Sequence, residues 1–415
     1  MERLSVPLRR AIAGRRLRLR ACGLFAALVA LACQSAFADA QPCAPRIWPL
    51  WEAWASRYVQ DDGRMLSSSM QADHSTSEGQ SYGMFFALVA DDPLRFERLW
   101  RWTEANMAGA DPARLPGWLW GRGKDGQWRL QDANSATDAD LWMAYALLEA
   151  ARLWRRPDYR DDALRLMKIV EATLVVELPG LGKMVLPGPE GYVQPGQLWH
   201  LNPSYLPLPL LRRLAKAEPD GPWREIAANT VAMIRRASPK GYVADWVGYQ
   251  GTASATGAPS GKFVRDPVTG ALGSYDAIRV YLWAGVTPKA DPAAAPLLAA
   301  LHGMATGTAA DGSPPEKVQV DTGATEGQAP FGYAAALVPY FIARGEPRLA
   351  AAQQRRMQQG LDAAFAGGNQ RPELLYYNVM LSLFASGWTD KRYRFRRDGT
   401  LELSWETSCV RAVPR

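Results

Sequence analysis

Ser77-Glu78-Gly79-Gln80-Ser81-Tyr82-Gly83-Met84-Phe85-Phe86-Ala87-Leu88-Val89-Ala90 is the stretch that decides the fold. From Tyr82 to Ala90 it is apolar nearly all round, a pattern a helix keeps only when it is buried on most sides. Further along, Leu141, Ala144, Tyr145, Leu148 and Ala151 recur at helical spacing and mark a helix with an apolar face. Two kinds of helix in one chain, wholly and partly buried, suit a closed double ring of inner and outer helices. The rest of the chain keeps that rhythm. Helices are predicted near 46–58, 78–91, 93–108, 138–155, 159–176, 204–216, 220–236, 276–285, 292–304, 331–344, 347–365 and 373–386, separated by loops rich in Gly, Pro and Asp. The expected fold class is all-α. Two segments, 123–130 and 397–401, place Asp-Gly between extended residues and read as β-hairpin decorations. No low-complexity linker divides the chain, so residues 41–415 are expected to form a single domain.

Residues 1–40 read as a secretory signal peptide. Arg9, Arg10, Arg15, Arg16, Arg18 and Arg20 precede a short apolar run from Cys22 to Cys33, and Ala36-Phe37-Ala38 and Ala38-Asp39-Ala40 offer cleavage sites. The run is too short for a stable membrane anchor. A lipoprotein cleavage at Cys33 is the weaker alternative, because Ala30-Leu31-Ala32 fits it poorly. The mature protein is expected in the periplasm or outside the cell. Of the formal net charge of +7, the leader holds seven Arg against Glu2 and Asp39, a net of +5, which leaves +2 for the remainder. That balance gives no case for nucleic acid binding. Cys43 and Cys409 remain near the two ends after export into an oxidising compartment, where they are expected to pair as a disulfide. His74, His200 and His302 are scattered without ligand spacing, so no metal or other cofactor is expected.

Three carboxylates open helices. Glu78 lies three residues after Ser75, the spacing of a capping box, which would be an ordinary helix start. Gly79 and Gly83 argue for more, since each lets another group approach closely at a cost of about 1 kcal/mol in a helix. Asp138 and Asp140 lie in a first turn that Ser135 or Thr137 could cap, where the helix dipole favours acids. Asp276 repeats the pattern, with Ser274 as cap and Arg279 one turn on and able to pair with it. With no phosphate loop and no metal cluster, opposed carboxylates in an aromatic-lined groove suit polysaccharide hydrolysis.

The run Ala136-Thr137-Asp138-Ala139-Asp140-Leu141-Trp142-Met143-Ala144-Tyr145 and its continuation to Trp154 resembles the signature segment of glycoside hydrolase family 8. Ser77-Glu78-Gly79-Gln80-Ser81-Tyr82-Gly83-Met84 and Ser274-Tyr275-Asp276-Ala277-Ile278-Arg279-Val280 match the same family, as do Pro116–Gly121, Asn202–Pro207 and Pro314–Val318. The likeness is greatest to the family's periplasmic endoglucanases encoded with bacterial cellulose synthase. It covers nearly all of the mature chain and includes the two terminal cysteines. The one departure is Ala139, where the family often has Gly.

The resemblance implies an (α/α)6 barrel and an inverting endo-β-1,4-glucanase acting on cellulose. It places Glu78 as general acid, Asp276 as general base and Asp138 as the residue that holds and distorts the sugar, with Asp140 in support. For Glu78 to be protonated, the charge of Asp138 and partial burial must outweigh the helix dipole. Sugar faces stack on aromatic rings, so Trp118, Trp120, Trp199, Tyr205, Trp246 and Tyr275 are groove candidates, with Tyr82, Asn202 and Arg279 as further substrate partners. A β-1,4-glucan is the expected substrate, a cellulose synthase complex a possible partner, and a monomer the expected state. A xylanase or chitosanase of the same family remains open, as does a non-catalytic glycan-binding subunit of a synthase complex.

Overall fold

The computed structural model describes residues 47–67, 74–252, 258–366 and 372–406. The expected leader at 1–40 and the expected Cys43–Cys409 pairing lie outside them. Among the described residues, six inner helices alternate with outer ones. The inner ring is α2 (Ser77–Val89), α4 (Thr137–Trp154), α6 (Leu208–Ala217), α8 (Ala277–Val286), α11 (Phe331–Arg344) and α13 (Pro372–Thr389). Around it lie α1 (Pro49–Tyr58), α3 (Pro93–Asn106), α5 (Pro157–Thr173), α7 (Trp223–Arg236), the pair α9 (Ala294–Ala300) and α10 (His302–Asp311), and α12 (Pro347–Phe365). This is an (α/α)6 barrel.

Burial follows ring position. Every residue from Gly79 to Val89 in α2 and all of α8 are buried. On outer α12 only Ala350, Gln353, Met357, Leu361 and Ala364 are, at the spacing of a single face. The periodic pattern in α4 understated its burial, for the helix is buried from Thr137 to Ala150. Its other faces hold alanines and Glu149, and these too are covered. Aromatic packing fills the axis: Phe384 lies 5.4 Å from Phe85 and 4.7 Å from Phe86, and Trp142 lies 5.4 Å from Trp283. At Gly285 a Cβ would stand 2.4 Å from the Tyr340 amide nitrogen, so only glycine lets α8 lie against α11 there.

Two expected helices end differently. The one near 292–304 breaks at Leu301, because the Gly303 amide is taken by the Gly241 carbonyl of the neighbouring loop. The one near 159–176 stops at Thr173, and β-branched Val175 and Val176 pair instead as β4 (Val175–Leu178) with β5 (Gly182–Val185). No described helix is long and apolar enough to cross a membrane.

Inner and outer helices join by short turns at one end of the barrel. Three of these turns share a device: a left-handed residue, one further residue, then the proline that starts the outer helix. The left-handed residues are Asp91 (φ 57°), Arg155 (φ 55°) and Gly345 (φ 76°), ahead of Pro93, Pro157 and Pro347. The left-handed residue ends one helix and proline at N1 begins the next. The return connections are long and gather at the opposite end. There β1 (His74–Thr76), β2 (Gly117–Arg122) and β3 (Trp128–Ser135) form one antiparallel sheet. A second runs in the order β6 (Val193–Gln194), β7 (Leu198–Leu201), β8 (Val247–Thr252), β9 (Ser260–Arg265). A third joins β10 (Leu272–Gly273), β11 (Pro315–Gln319) and β12 (Ala324–Gln328). The Asp125-Gly126 turn of β2–β3 and the Asp398-Gly399 turn of β13 (Tyr393–Phe395) and β14 (Leu401–Leu403) stand where sequence placed hairpins, and the other strands exceed that expectation.

Candidate active site

Because α2, α4 and α8 all begin at the end with the long connections, Glu78, Asp138 and Asp276 converge there. The Arg279 guanidinium marks the junction. Its Nη2 lies 2.8 Å from Asp276 Oδ1 and 3.9 Å from Asp138 Oδ2, and donates to Ser204 Oγ at 2.8 Å. Asn202 Nδ2 donates to the other Asp276 oxygen at 3.2 Å. Asn202 is itself held through its Oδ1, which accepts from the Ser204 amide at 2.9 Å and hydroxyl at 2.7 Å.

The caps are not those that spacing suggested. Thr76, not Ser75, caps α2 by accepting from the Gly79 amide at 3.2 Å, while Ser75 Oγ accepts from Arg64. Glu78 is thereby released from capping and accepts from Ser77 Oγ at 3.3 Å. The two glycines serve packing within the chain. A Cβ on Gly79 would meet the Tyr376 hydroxyl at 3.0 Å, and one on Gly83 would meet the Met65 methyl at 2.6 Å. Gln80 completes this anchor: Oε1 accepts from the Met65 amide at 2.6 Å, and Nε2 donates to Leu99 O at 3.0 Å and Thr103 Oγ1 at 2.9 Å. At α8 the cap comes from another segment. Asp245 Oδ1 accepts from the amides of Ser274 (2.8 Å), Asp276 (3.1 Å) and Ala277 (2.7 Å), and Oδ2 accepts from the Ser274 hydroxyl at 2.6 Å.

Burial sets the electrostatics. It pushes the half-buried Glu78 carboxyl above the usual range, against the opposing pull of its own backbone amide and Arg279. The Asp276 charge adds to this rise, and the Glu78 and Asp138 carboxylates repel each other. Asp138 is pushed up to about 8, first by burial and then by the Glu78 charge. Its Oδ1 accepts from the Ala139 amide at 2.9 Å. Asp140, expected in support, has 0% exposure, so it is closed off from a sugar in the groove. Burial drives its carboxyl well above the usual range, against the opposing pull of a hydrogen bond with Ser135.

The aromatic candidates divide into two groups. Tyr205 faces the cluster: burial raises its phenol, followed by the charges of Asp138, Glu78 and Asp276, and the Arg279 guanidinium carbon lies 6.0 Å from its ring. Trp246 packs 6.0 Å from Tyr205 and stacks on Tyr192 at 5.9 Å with 6° between the planes. Tyr275 adjoins Asp276 and donates from its hydroxyl to Glu316 Oε1 at 2.6 Å. Tyr82 is buried in the core, where burial and then the Asp138 charge push its phenol well above the usual range. Trp120 is committed elsewhere, stacked on Trp128 at 5.1 Å and edge-on to Trp102 at 5.0 Å. Trp199 packs on Tyr249 in the β6–β9 sheet, and half-buried Trp118 packs against the core. Sequence reasoning passed over Asp245, Ser204, Tyr192 and Tyr377, whose hydroxyl bonds the Tyr275 carbonyl. Tyr205 had already pointed to Ser204 beside it; nothing local marked Asp245, which acts across 31 residues.

A family model described as glycosyl hydrolases family 8 matches residues 23–391. The chain is 52% identical over 382 residues to an endoglucanase of Pseudomonas fluorescens (strain SBW25), covering 90% of this chain and 94% of that protein. It is 44% identical to an endoglucanase of Xanthomonas axonopodis pv. citri (strain 306), covering 96% and 99%. Among solved structures, the endo-1,4-D-glucanase from Vibrio fischeri ES114 aligns with a TM-score of 0.78 at 36% identity, covering 87% of this chain and 100% of that one.

Proposed function

This chain belongs to glycosyl hydrolases family 8, and we propose that it is an endo-β-1,4-glucanase that cuts with inversion at the anomeric carbon. Glu78 gives its proton to the leaving glycosidic oxygen as the C–O bond breaks. A water attacks the anomeric carbon from the opposite face and loses its proton to Asp276. Asp138 holds the sugar between them. The observation that carries this reading is the contrast between the two outer carboxyls. Glu78 is pushed toward its protonated form by burial, while both Asp276 oxygens accept hydrogen bonds, from Arg279 and Asn202. A carboxyl pushed toward its protonated form, beside one whose two oxygens are held by hydrogen-bond donors, suits the acid and base roles. Tyr205, Tyr275 and Trp246 supply the aromatic wall.

The glucan substrate rests on the names of the relatives, and export on the leader. A role beside a cellulose synthase follows from the likeness of the motifs. The first test is reducing-end release from carboxymethylcellulose, xylan and chitosan, with the product anomer followed by NMR. Activity on the cellulose derivative with the α-anomer appearing first is expected. The β-anomer first would overturn the acid and base assignment, and preference for xylan or chitosan would replace the substrate. Asp245→Asn is expected to lower kcat about tenfold with KM within twofold, because the start of α8 loosens under the base. Steady-state kinetics check this, and an unchanged kcat would show that Asp276 is held without Asp245.

A further inference from the structure

The inner helices α4 and α6 carry their C-termini to the far end of the barrel, where two crevices adjoin. One, of about 790 Å³, is lined by Arg212, Lys216, Arg224, Arg396 and Arg397 against Asp291 and Asp398. The other, of about 560 Å³, shares Lys216 and adds Arg152, Arg155, Arg160 and Arg213 with no acid on its wall. Nine cations thus face two acids at one end of a chain whose residues 41–415 carry a formal charge of only +2.

Helix C-termini favour cations, and internal pairing explains part of the set. Arg152 and Arg213 hold Glu149, Arg212 holds Asp291, Lys216 holds Asp398, and Arg396 holds Glu402. Arg155, Arg160, Arg224 and Arg397 are exposed and pair with no acid among the described residues. Arg155 sits in the turn itself, at the left-handed position (φ 55°) that Asp91 (φ 57°) and Gly345 (φ 76°) take in the matching turns. Eight of the nine cations are arginine, whose planar guanidinium binds carboxylates through two parallel bonds.

We propose that this end of the barrel is a docking surface for an acidic polypeptide segment, occupied while the carboxylate groove at the opposite end works on glucan. The two crevices share Lys216 on their walls, an arrangement that fits an extended chain of Asp and Glu better than a flat anionic bilayer. The reading does not depend on the catalytic roles assigned above.

Binding of fluorescent poly-L-glutamate to the mature chain, followed by anisotropy at roughly 20 and 150 mM salt, tests it. The triple variant Arg155→Glu, Arg160→Glu, Arg397→Glu is compared with Arg235→Glu, Arg236→Glu, Arg355→Glu, an equal charge change at exposed positions elsewhere. Wild type and control are expected to bind alike, with the far-end variant at least about tenfold weaker and all three equally active on carboxymethylcellulose. Equal loss in both variants would reduce the effect to bulk charge and overturn the proposal. So would absence of binding by wild type at the lower salt, or tighter binding to phosphatidylglycerol vesicles than to poly-L-glutamate.

Discussion

Glu78→Gln is expected to lower kcat on carboxymethylcellulose by about 10³-fold or more while leaving cello-oligosaccharide binding within a few-fold. Glutamine keeps the shape and the hydrogen bond from Ser77 but has no acidic proton to give to the leaving oxygen. Protein stability should not fall with activity, and the sign follows from the buried acids. Asp138 is raised to about 8 partly by the Glu78 charge, so the wild-type fold loses stability as pH climbs from the usual carboxylate range through 8. Removing the Glu78 charge relieves that loss. The variant is therefore expected to match wild type near pH 4 and to be at least as stable near pH 8. Catalysis has the same dependence, since Glu78 works only while protonated and its raised pKa carries activity into a range an exposed glutamate would not reach. Parallel denaturation and kinetic series at several pH values decide the matter. Retained hydrolysis by the variant would remove Glu78 as the acid, and a loss of stability equal to the loss of activity would make its role structural.

The double ring was legible because its two helix classes leave different traces. An inner helix such as α2 must be apolar all round, and an outer one such as α12 must show a single stripe. The carboxylates were legible for a local reason, each being the first acid of a helix that starts at the same end. Their surroundings were not. Asp245 caps α8 from another loop, and the β6–β9 sheet that carries Trp199 is built from strands of two to six residues too short to show a period. The same limit misplaced the caps: Ser75 and Thr76 are both plausible by type, and only the path of the backbone chooses Thr76. Trp120 and Trp246 look alike in sequence, yet one is consumed by Trp102 and Trp128 while the other stands beside Tyr205. The glycines of the Glu78 motif were noticed for close approach, with the approaching group left open. Met65, Leu99 and Tyr376 fill the space.

Glu149→Ala is expected to destabilise the fold by about 3–5 kcal/mol without changing the chemistry. Glu149 is fully buried near the C-terminal end of α4 and joins three parts of the far end. It bonds Arg213 of α6, Arg152 one turn on, and the Leu401 amide of the closing hairpin at 3.1 Å. Truncation leaves Arg213, only 11% exposed, without its counter-charge, and frees the hairpin amide. The penalty comes mainly from that abandoned cation. The double variant Glu149→Ala, Arg213→Leu should accordingly recover much of the loss, an outcome a simple cavity would not give. The catalytic end lies eleven residues away along α4, about 16 Å of helix, so kcat measured well below the unfolding temperature should stay within twofold of wild type. Urea titration of the single and double variants beside activity at low temperature separates the alternatives. A single-variant loss under about 1 kcal/mol would show that the ion cluster merely fills space. A fall in kcat alongside the loss of stability would mean that the far end and the carboxylate end do not behave as independent parts of the barrel.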